Sequence, residues 1–283
     1  MRIVDIVISA AIGGLIGFAA SHYTAESGGL ATGAMAGLDA QIDAQITARL
    51  DALGVKGADD LDSRISGGVA QFLADQPEAV MAALERHQAS AAEREAEALR
   101  QTAAGLFDAL TKQPGDPAFG ADAATADVTL VEFFDYRCGY CKRSLETVLA
   151  LAEQDPKLRV VLKEFPILGP ESVAASQISL AAYQIDPTRY KALHAALMRH
   201  RGAYDKASLL GVAAEAGYDP VAIEAALTNG AIKTHISNGY EIAQALGIRG
   251  TPAFVIGDRV IPGAVSADTL REAIETARAA NKG

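Results

Sequence analysis

The chain has 283 residues, half of them hydrophobic, with a formal charge of -10 and no tryptophan. That length suits one large domain or two modest ones, and the acidity without any long basic run argues against a nucleic-acid partner, since phosphate binding needs clustered Lys and Arg. Its two cysteines, Cys138 and Cys141, exclude a framework of structural disulfides elsewhere in the chain.

Residues 3–20 are almost entirely apolar, broken by Asp5 and Ser9, with Arg2 the one positive charge before them. A cleaved signal would use the small residues Ala19, Ala20 and Ser21. An uncleaved anchor would use the whole stretch, which at about 18 residues just spans a bilayer. A buried N-terminal helix of a soluble domain is the third reading. The anchor is preferred to cleavage because the stretch begins at once, with no polar region of its own before it. Block 1–24 is therefore assigned as a signal peptide or anchor that sends the rest of the chain across the membrane.

Residues 25–37, rich in Gly, Ala and Ser, read as a flexible linker. Residues 38–112 read as a helical extension. Leu38, Ile42, Ile46, Leu50 and Leu53 recur mostly at fours, the spacing of one helix face. A second short element carries Leu61, Ile65, Val69, Phe72 and Leu73. Pro77, tolerated in a first turn, opens a longer helix to about Leu110 with Val80, Leu84, His87 and Ala91 on one stripe. After a one-residue shift, Leu99, Ala103, Leu106 and Leu110 continue it. Such stripes must be covered by another part of the chain or by a second copy, so this extension is a candidate oligomerisation region. Pro114, Gly115, Pro117 and Gly120 mark a boundary at 113–126.

From 127 to 283 the pattern alternates between strand and helix. An apolar strand at Val128–Phe134 is followed by a helix that begins at the cysteines and ends near Gln154, then by a second strand at 158–165. This β-α-β order implies parallel strands and an α/β fold. Several helices fill about 170–246. A strand at Ala253–Ile256, a Gly257-Asp258 turn and a short strand at 259–261 read as a hairpin. Ser266 caps a terminal helix.

The chemistry centres on Cys138-Gly139-Tyr140-Cys141, placed between a buried strand and a helix. Free N–H groups and the positive dipole end of a first helical turn favour thiolate over thiol at Cys138. Reactive cysteines in such sites have pKa values of roughly 3.5 to 7.5 instead of about 8.5. Lys142 and Arg143 add positive potential. Cys138 is then the attacking sulfur, and Cys141, one turn on and more buried, resolves the mixed disulfide. No cofactor is needed beyond this pair. Structural zinc needs four ligands, and His22, His87, His194, His200 and His235 show no ligand spacing relative to the cysteines. A Cu(I) ion held by Cys138 and Cys141 remains an alternative, as does a structural disulfide across one turn. Thr251-Pro252, entering a strand, is a candidate cis bond. Glu132 is an acid in the middle of an apolar strand, where burial costs several kcal/mol unless the group is neutral or paired. Lys163 in the neighbouring strand could pair with it, or both could reach solvent at strand ends. The functional reading of Glu132 is a proton relay for Cys141.

The segments Val131-Glu-Phe-Phe-Asp-Tyr-Arg-Cys-Gly-Tyr-Cys-Lys142, Lys163-Glu-Phe-Pro-Ile-Leu-Gly-Pro-Glu-Ser172 and Gly250-Thr-Pro-Ala-Phe-Val-Ile-Gly257 together resemble the DsbA family of thiol-disulfide oxidoreductases over about residues 125–280. The resemblance implies a thioredoxin-like fold with a helical insertion. It implies that Thr251 and a cis Pro252 flank Cys138 and, with Gly139 and Tyr140, contact substrate, and that Glu132 is the family's buried acid. Gln71-Phe-Leu-Ala-Asp-Gln-Pro-Glu-Ala79 resembles the N-terminal extension of ScsC-type members, in several of which it mediates oligomers. The Gly-Tyr pair departs from the Pro-His of the best-known oxidase, so strong oxidase activity does not carry over. The expected activity is thiol-disulfide exchange, as oxidase or isomerase, on exported proteins, with a membrane redox partner. A copper-binding chaperone using the same cysteines is the alternative, and a tethered assembly protein with a vestigial redox domain a third.

Overall fold

The computed structural model describes residues 31–52, 54 and 58–281; the apolar segment 3–20 and His22 lie outside them. Among the described residues no helix is long and apolar enough to cross a membrane. The chain divides into two compact units, Met1–Ala89 and Ser90–Gly283.

In the first unit, α1 (Ala31–Ala52) and α2 (Ala58–Asp75) precede α3 (Pro77–Gly105), which runs on into the second. Helix α1 begins inside the stretch read as a linker, since alanine is the best helix former and outweighs the glycines among its neighbours. The apolar stripes are where the spacing puts them, but Ile42, Ile46, Ile65, Val69, Phe72, Leu73, Val80, Met81 and Leu84 are all exposed.

The second unit contains the rest of α3, then α4 (Phe107–Thr111), β1 (Ala118–Gly120), β2 (Val128–Phe134), α5 (Gly139–Gln154) and β3 (Leu158–Glu164). Four insertion helices follow: α6 (Pro170–Ile185), α7 (Tyr190–Arg199), α8 (Lys206–Glu215) and α9 (Pro220–Ala226). Helix α10 (Gly230–Ala245), strands β4 (Ala253–Ile256) and β5 (Arg259–Pro262), and α11 (Ala267–Ala280) complete it. The sheet order is β1-β3-β2-β4-β5. β2 and β3 are parallel, as the β-α-β pattern requires, and the remaining pairs are antiparallel. Strand β1 lies inside the Pro- and Gly-rich boundary segment. Gly120 ends it at φ +86, where a side chain would meet Leu158 O at 2.5 Å, so only glycine fits.

Strand residues alternate between two cores, the period of two that a pleated sheet imposes. Leu130, Phe134, Val160, Leu162, Phe254 and Ile256 face α5, α11 and the insertion. Val131, Phe133, Val161, Ala253 and Val255 face Leu110 of α4 and Ile242 of α10. The Ser266 hydroxyl accepts the Thr269 N–H at the start of α11, the cap read from the sequence.

Candidate active site

The strand β2 ends four residues before Cys138, which is the N-cap of α5, with φ -71 and ψ 117. Its carbonyl accepts the first helical N–H, from Lys142, at 3.0 Å. Both cysteines are free thiols; Cys138 keeps 6% of its surface exposed and Cys141 none. The Thr251–Pro252 peptide is cis, and as a thiol Cys138 donates to Thr251 O at 3.2 Å. Pro252 O accepts the Gly263 N–H at 2.8 Å, which ties this loop to the end of β5. Gly139 and Tyr140 follow in the first turn, with Tyr140 exposed and the Arg143 guanidinium 4.2 Å from its ring centroid.

These contacts split the two sulfurs electrostatically. The Cys141 thiol donates to Cys138 and lowers the Cys138 pKa from 9.0 to about 5, against the opposing effect of burial. The Thr251 side chain and the main-chain N–H groups of Cys141 and Tyr140 add to the stabilisation of the thiolate, the latter as orphan donors of a first helical turn do. The same Cys141–Cys138 bond, with burial and the nearby Glu132, pushes Cys141 far up. One sulfur is poised as thiolate and the other is held as thiol.

Glu132 is buried on the α5 side of the sheet, in the alternation of Leu130 and Phe134. Burial first, and then the charge of Cys138, raise it to about 8, so the carboxyl carries a proton at neutral pH. Lys163 does not pair with it. In the β2–β3 register Glu132 stands opposite Leu162, and Lys163 opposite Phe133, so the lysine projects from the other face. There its ammonium donates to Asp116, to Ala109 O at 2.6 Å and to Gln113 Oε1 at 3.0 Å. Asp116 Oδ1 also lies 2.9 Å from His235 Nε2, within ion-pair range but without a well-aligned hydrogen bond. Lys163 is therefore a structural cation, 1% exposed, and the expected Glu132 pair is corrected. Neither residue reaches solvent at a strand end.

Lys142 is also committed elsewhere. Its ammonium donates to His200 O at 2.8 Å and to Tyr204 Oη at 2.9 Å, joining the start of α5 to the insertion. Tyr204 Oη in turn donates to Tyr136 O at 3.1 Å. A second buried acid, Glu164, accepts from Ser176 at 2.7 Å and is raised to about 8, chiefly by burial. Beside it Tyr136 shares hydrogen bonds with Ser179, Tyr190 and His194. Sequence reasoning missed this cluster; its one signal was Glu164, an acid next to Lys163 in an apolar strand. Among the described residues no group of three or more His, Cys, Asp or Glu side chains is arranged to hold a metal.

Residues 129–275 match the family model of the DSBA-like thioredoxin domain. A thioredoxin-like oxidoreductase from Silicibacter pomeroyi is 38% identical and superposes with a TM-score of 0.57, over 61% of this chain and 97% of that one. Proteus mirabilis ScsC in a transitional conformation is 30% identical, with a TM-score of 0.57, over 79% and 99%. The thiol:disulfide interchange protein DsbA of Bordetella pertussis is 28% identical over 50% of this chain and 68% of its own. Two-thirds of the chain (67%) also matches the Na(+)/H(+) antiporter NhaA 1 of Salinispora arenicola at 25% identity, and spans 29% of that relative's length.

Proposed function

Because the chain belongs to the DSBA-like thioredoxin family of oxidoreductases, we propose that it exchanges disulfides with exported proteins, as a disulfide donor or isomerase acting through Cys138 and Cys141. The observation that carries this reading is geometric: Cys138 caps α5 against the cis Thr251–Pro252 peptide, with Cys141 fully buried one turn on, an arrangement that lowers the pKa of the first sulfur and raises that of the second.

In the donor direction a substrate thiolate attacks Cys138 Sγ in the oxidised enzyme. The Cys138–Cys141 bond breaks, and Cys141 leaves with its electron pair. Its high proton affinity calls for a proton at once, and the neutral Glu132 carboxyl beside it supplies one. A second substrate thiolate then attacks the substrate sulfur of the mixed disulfide, and Cys138 departs as a stable thiolate. Two electrons have passed to the enzyme, and a membrane redox partner would remove them. Thr251, Pro252, Gly139 and Tyr140 border the sulfur and would meet the substrate chain.

A stabilised thiolate stabilises the reduced enzyme, which makes its disulfide oxidising. Titration against glutathione redox buffers is expected to give a potential of about -120 to -180 mV; a value near about -270 mV would mean a reductant and would overturn the donor reading.

The block 38–112 is proposed as the oligomerisation region, since α1, α2 and the first half of α3 carry nine large apolar side chains exposed to solvent. Copies that cover one another's stripes would hold several active sites in one particle, an arrangement suited to isomerisation. Sedimentation of the full chain is expected to show an oligomer, and the double substitution Val69→Asp with Phe72→Asp to yield monomer. Monomeric wild-type chain would contradict this. Residues 1–24 are proposed as signal or anchor, with the rest of the chain on the periplasmic side.

A further inference from the structure

Lys142 and Arg143 directly follow Cys141 in the first turns of α5, and Arg201 stands just beyond the end of α7. The Lys142 ammonium meets only neutral oxygens, His200 O and Tyr204 Oη, with the Tyr204 ring centroid at 5.0 Å. His200 precedes Arg201 in the chain, and the charges of Arg201 and Arg137, after burial, hold the Lys142 pKa below its usual value. The exposed Arg143 guanidinium lies against the Tyr140 ring, and a Cβ on Gly139 would stand 3.8 Å from its Nη1. It therefore covers the two residues that follow Cys138. Among the described residues none of Lys142, Arg143 and Arg201 has a carboxylate partner. The acids of the neighbouring segments are committed. Asp135, buried, accepts the Arg137 N–H at 2.8 Å and the Leu168 N–H at 3.0 Å. Glu171 pairs with Arg137 at 2.9 Å, and Glu146 with Arg199 at 2.7 Å.

We propose that Lys142, Arg143 and Arg201 form a docking surface for acidic polypeptide, which gives preference to substrates with Asp or Glu beside the reacting cysteine. The inference rests on the exchange function proposed above and names a substrate class for it. In a chain of net charge -10, these cations make a local positive field where the overall field would turn an acidic partner away. They are not spent on the sulfur. The largest contributions to the acidity of Cys138 come from Cys141, Thr251 and main-chain N–H groups. Stacked on Tyr140, the Arg143 guanidinium keeps its outer edge for a carboxylate, whose two oxygens match its fork. A thiol flanked by carboxylates ionises less readily. Pairing those carboxylates with the patch restores the substrate thiolate that attacks Cys138 Sγ.

The test is the second-order rate constant for oxidation of unfolded two-cysteine peptides by the pre-oxidised full chain in a single turnover. The peptides carry either Glu or Gln on both sides of each cysteine, and the readout is the Glu:Gln ratio of rate constants. Comparing this ratio between chains cancels the intrinsic reactivity of each peptide. At about 10 mM ionic strength the ratio is expected to fall about threefold in Arg143→Gln or Arg201→Gln and about tenfold in the double variant. At about 0.5 M salt the wild-type ratio itself should approach that of the double variant. Lys157→Gln removes the same charge at the opposite end of β3, and should keep the wild-type ratio. An unchanged ratio in the double variant would overturn the inference. An equal fall in Lys157→Gln would also overturn it, by making the effect one of net charge. Sedimentation of the wild-type chain with phosphatidylglycerol vesicles, lost in the double variant while the peptide ratio stays put, would give the patch to a lipid surface and overturn it too. Failure of the exchange reading itself would look different: the wild-type chain would then oxidise neither peptide.

Discussion

Replacing Cys141 by serine is expected to halt turnover at the mixed disulfide and to lower the steady-state rate on the order of a thousandfold. Cys138 alone can still attack a substrate disulfide, because the Thr251 side chain and the main-chain donors of the first turn of α5 do not depend on the second sulfur. Some of its acidity goes, since the Cys141 thiol is the largest single contributor. What disappears is the Cys138–Cys141 disulfide that the donor reaction spends and, in the reverse direction, the intramolecular attack of Cys141 that frees the substrate. The variant should therefore accumulate a covalent complex that a reducing agent dissolves, visible as a mass increase on non-reducing gels. Cys138→Ser should form no such complex. Undiminished turnover by Cys141→Ser would mean that small thiols resolve the complex and that the motif does not work as a pair.

The largest expected effect on stability comes from a residue far from the sulfurs. Asp116→Ala leaves the Lys163 ammonium buried with only neutral oxygens, from Ala109 and Gln113, around it. Breaking a buried ion pair from one side costs about 3–5 kcal/mol, because the remaining charge is left uncompensated. Burial already holds the Lys163 pKa below its usual value while Asp116 holds it up; without Asp116 it falls further, and loss of the proton caps the penalty. Urea unfolding is the check. Adding Lys163→Met to Asp116→Ala should recover part of the loss, since the orphaned charge is then gone. A penalty for Asp116→Ala below about 1 kcal/mol would show that the pair contributes no more than a surface one.

Strands β2 and β3, the helix after the cysteines, the β4–β5 hairpin and the capped α11 were legible because each is written in local pattern: alternation, apolar runs, Gly-Asp, Ser before a helix. The pair Cys138 and Cys141 was legible for the same reason, being close in sequence and placed at a strand–helix junction. Lys163 was misread because two odd charges in adjacent strands invite pairing, whereas the facing of each side chain depends on register. The shift of one position between Glu132↔Leu162 and Phe133↔Lys163 sends them to opposite sides of the sheet. Its true partner, Asp116, lies 47 residues away in a segment that reads only as a boundary. Asp135 was equally silent, since an acid after a strand looks like an ordinary turn residue until both of its main-chain donors are seen. Strand β1 escaped notice at three residues, too short for any periodicity.

The central claim is that the fold makes Cys138 a thiolate and keeps Cys141 a thiol. A folded-state pKa depressed from 9.0 to about 5 stabilises the reduced folded chain in full above the ordinary thiol value. That contribution declines as pH falls and is gone below about 5. The direct measurement is the ultraviolet absorbance of the thiolate in reduced full-length chain as pH is raised, with Cys138→Ser as the reference. The structure predicts one transition near pH 5, absent from the reference, and no second transition across the neutral range. A single transition near the ordinary thiol value of 9.0 would mean that α5 and Thr251 do not activate the sulfur, and would contradict the account.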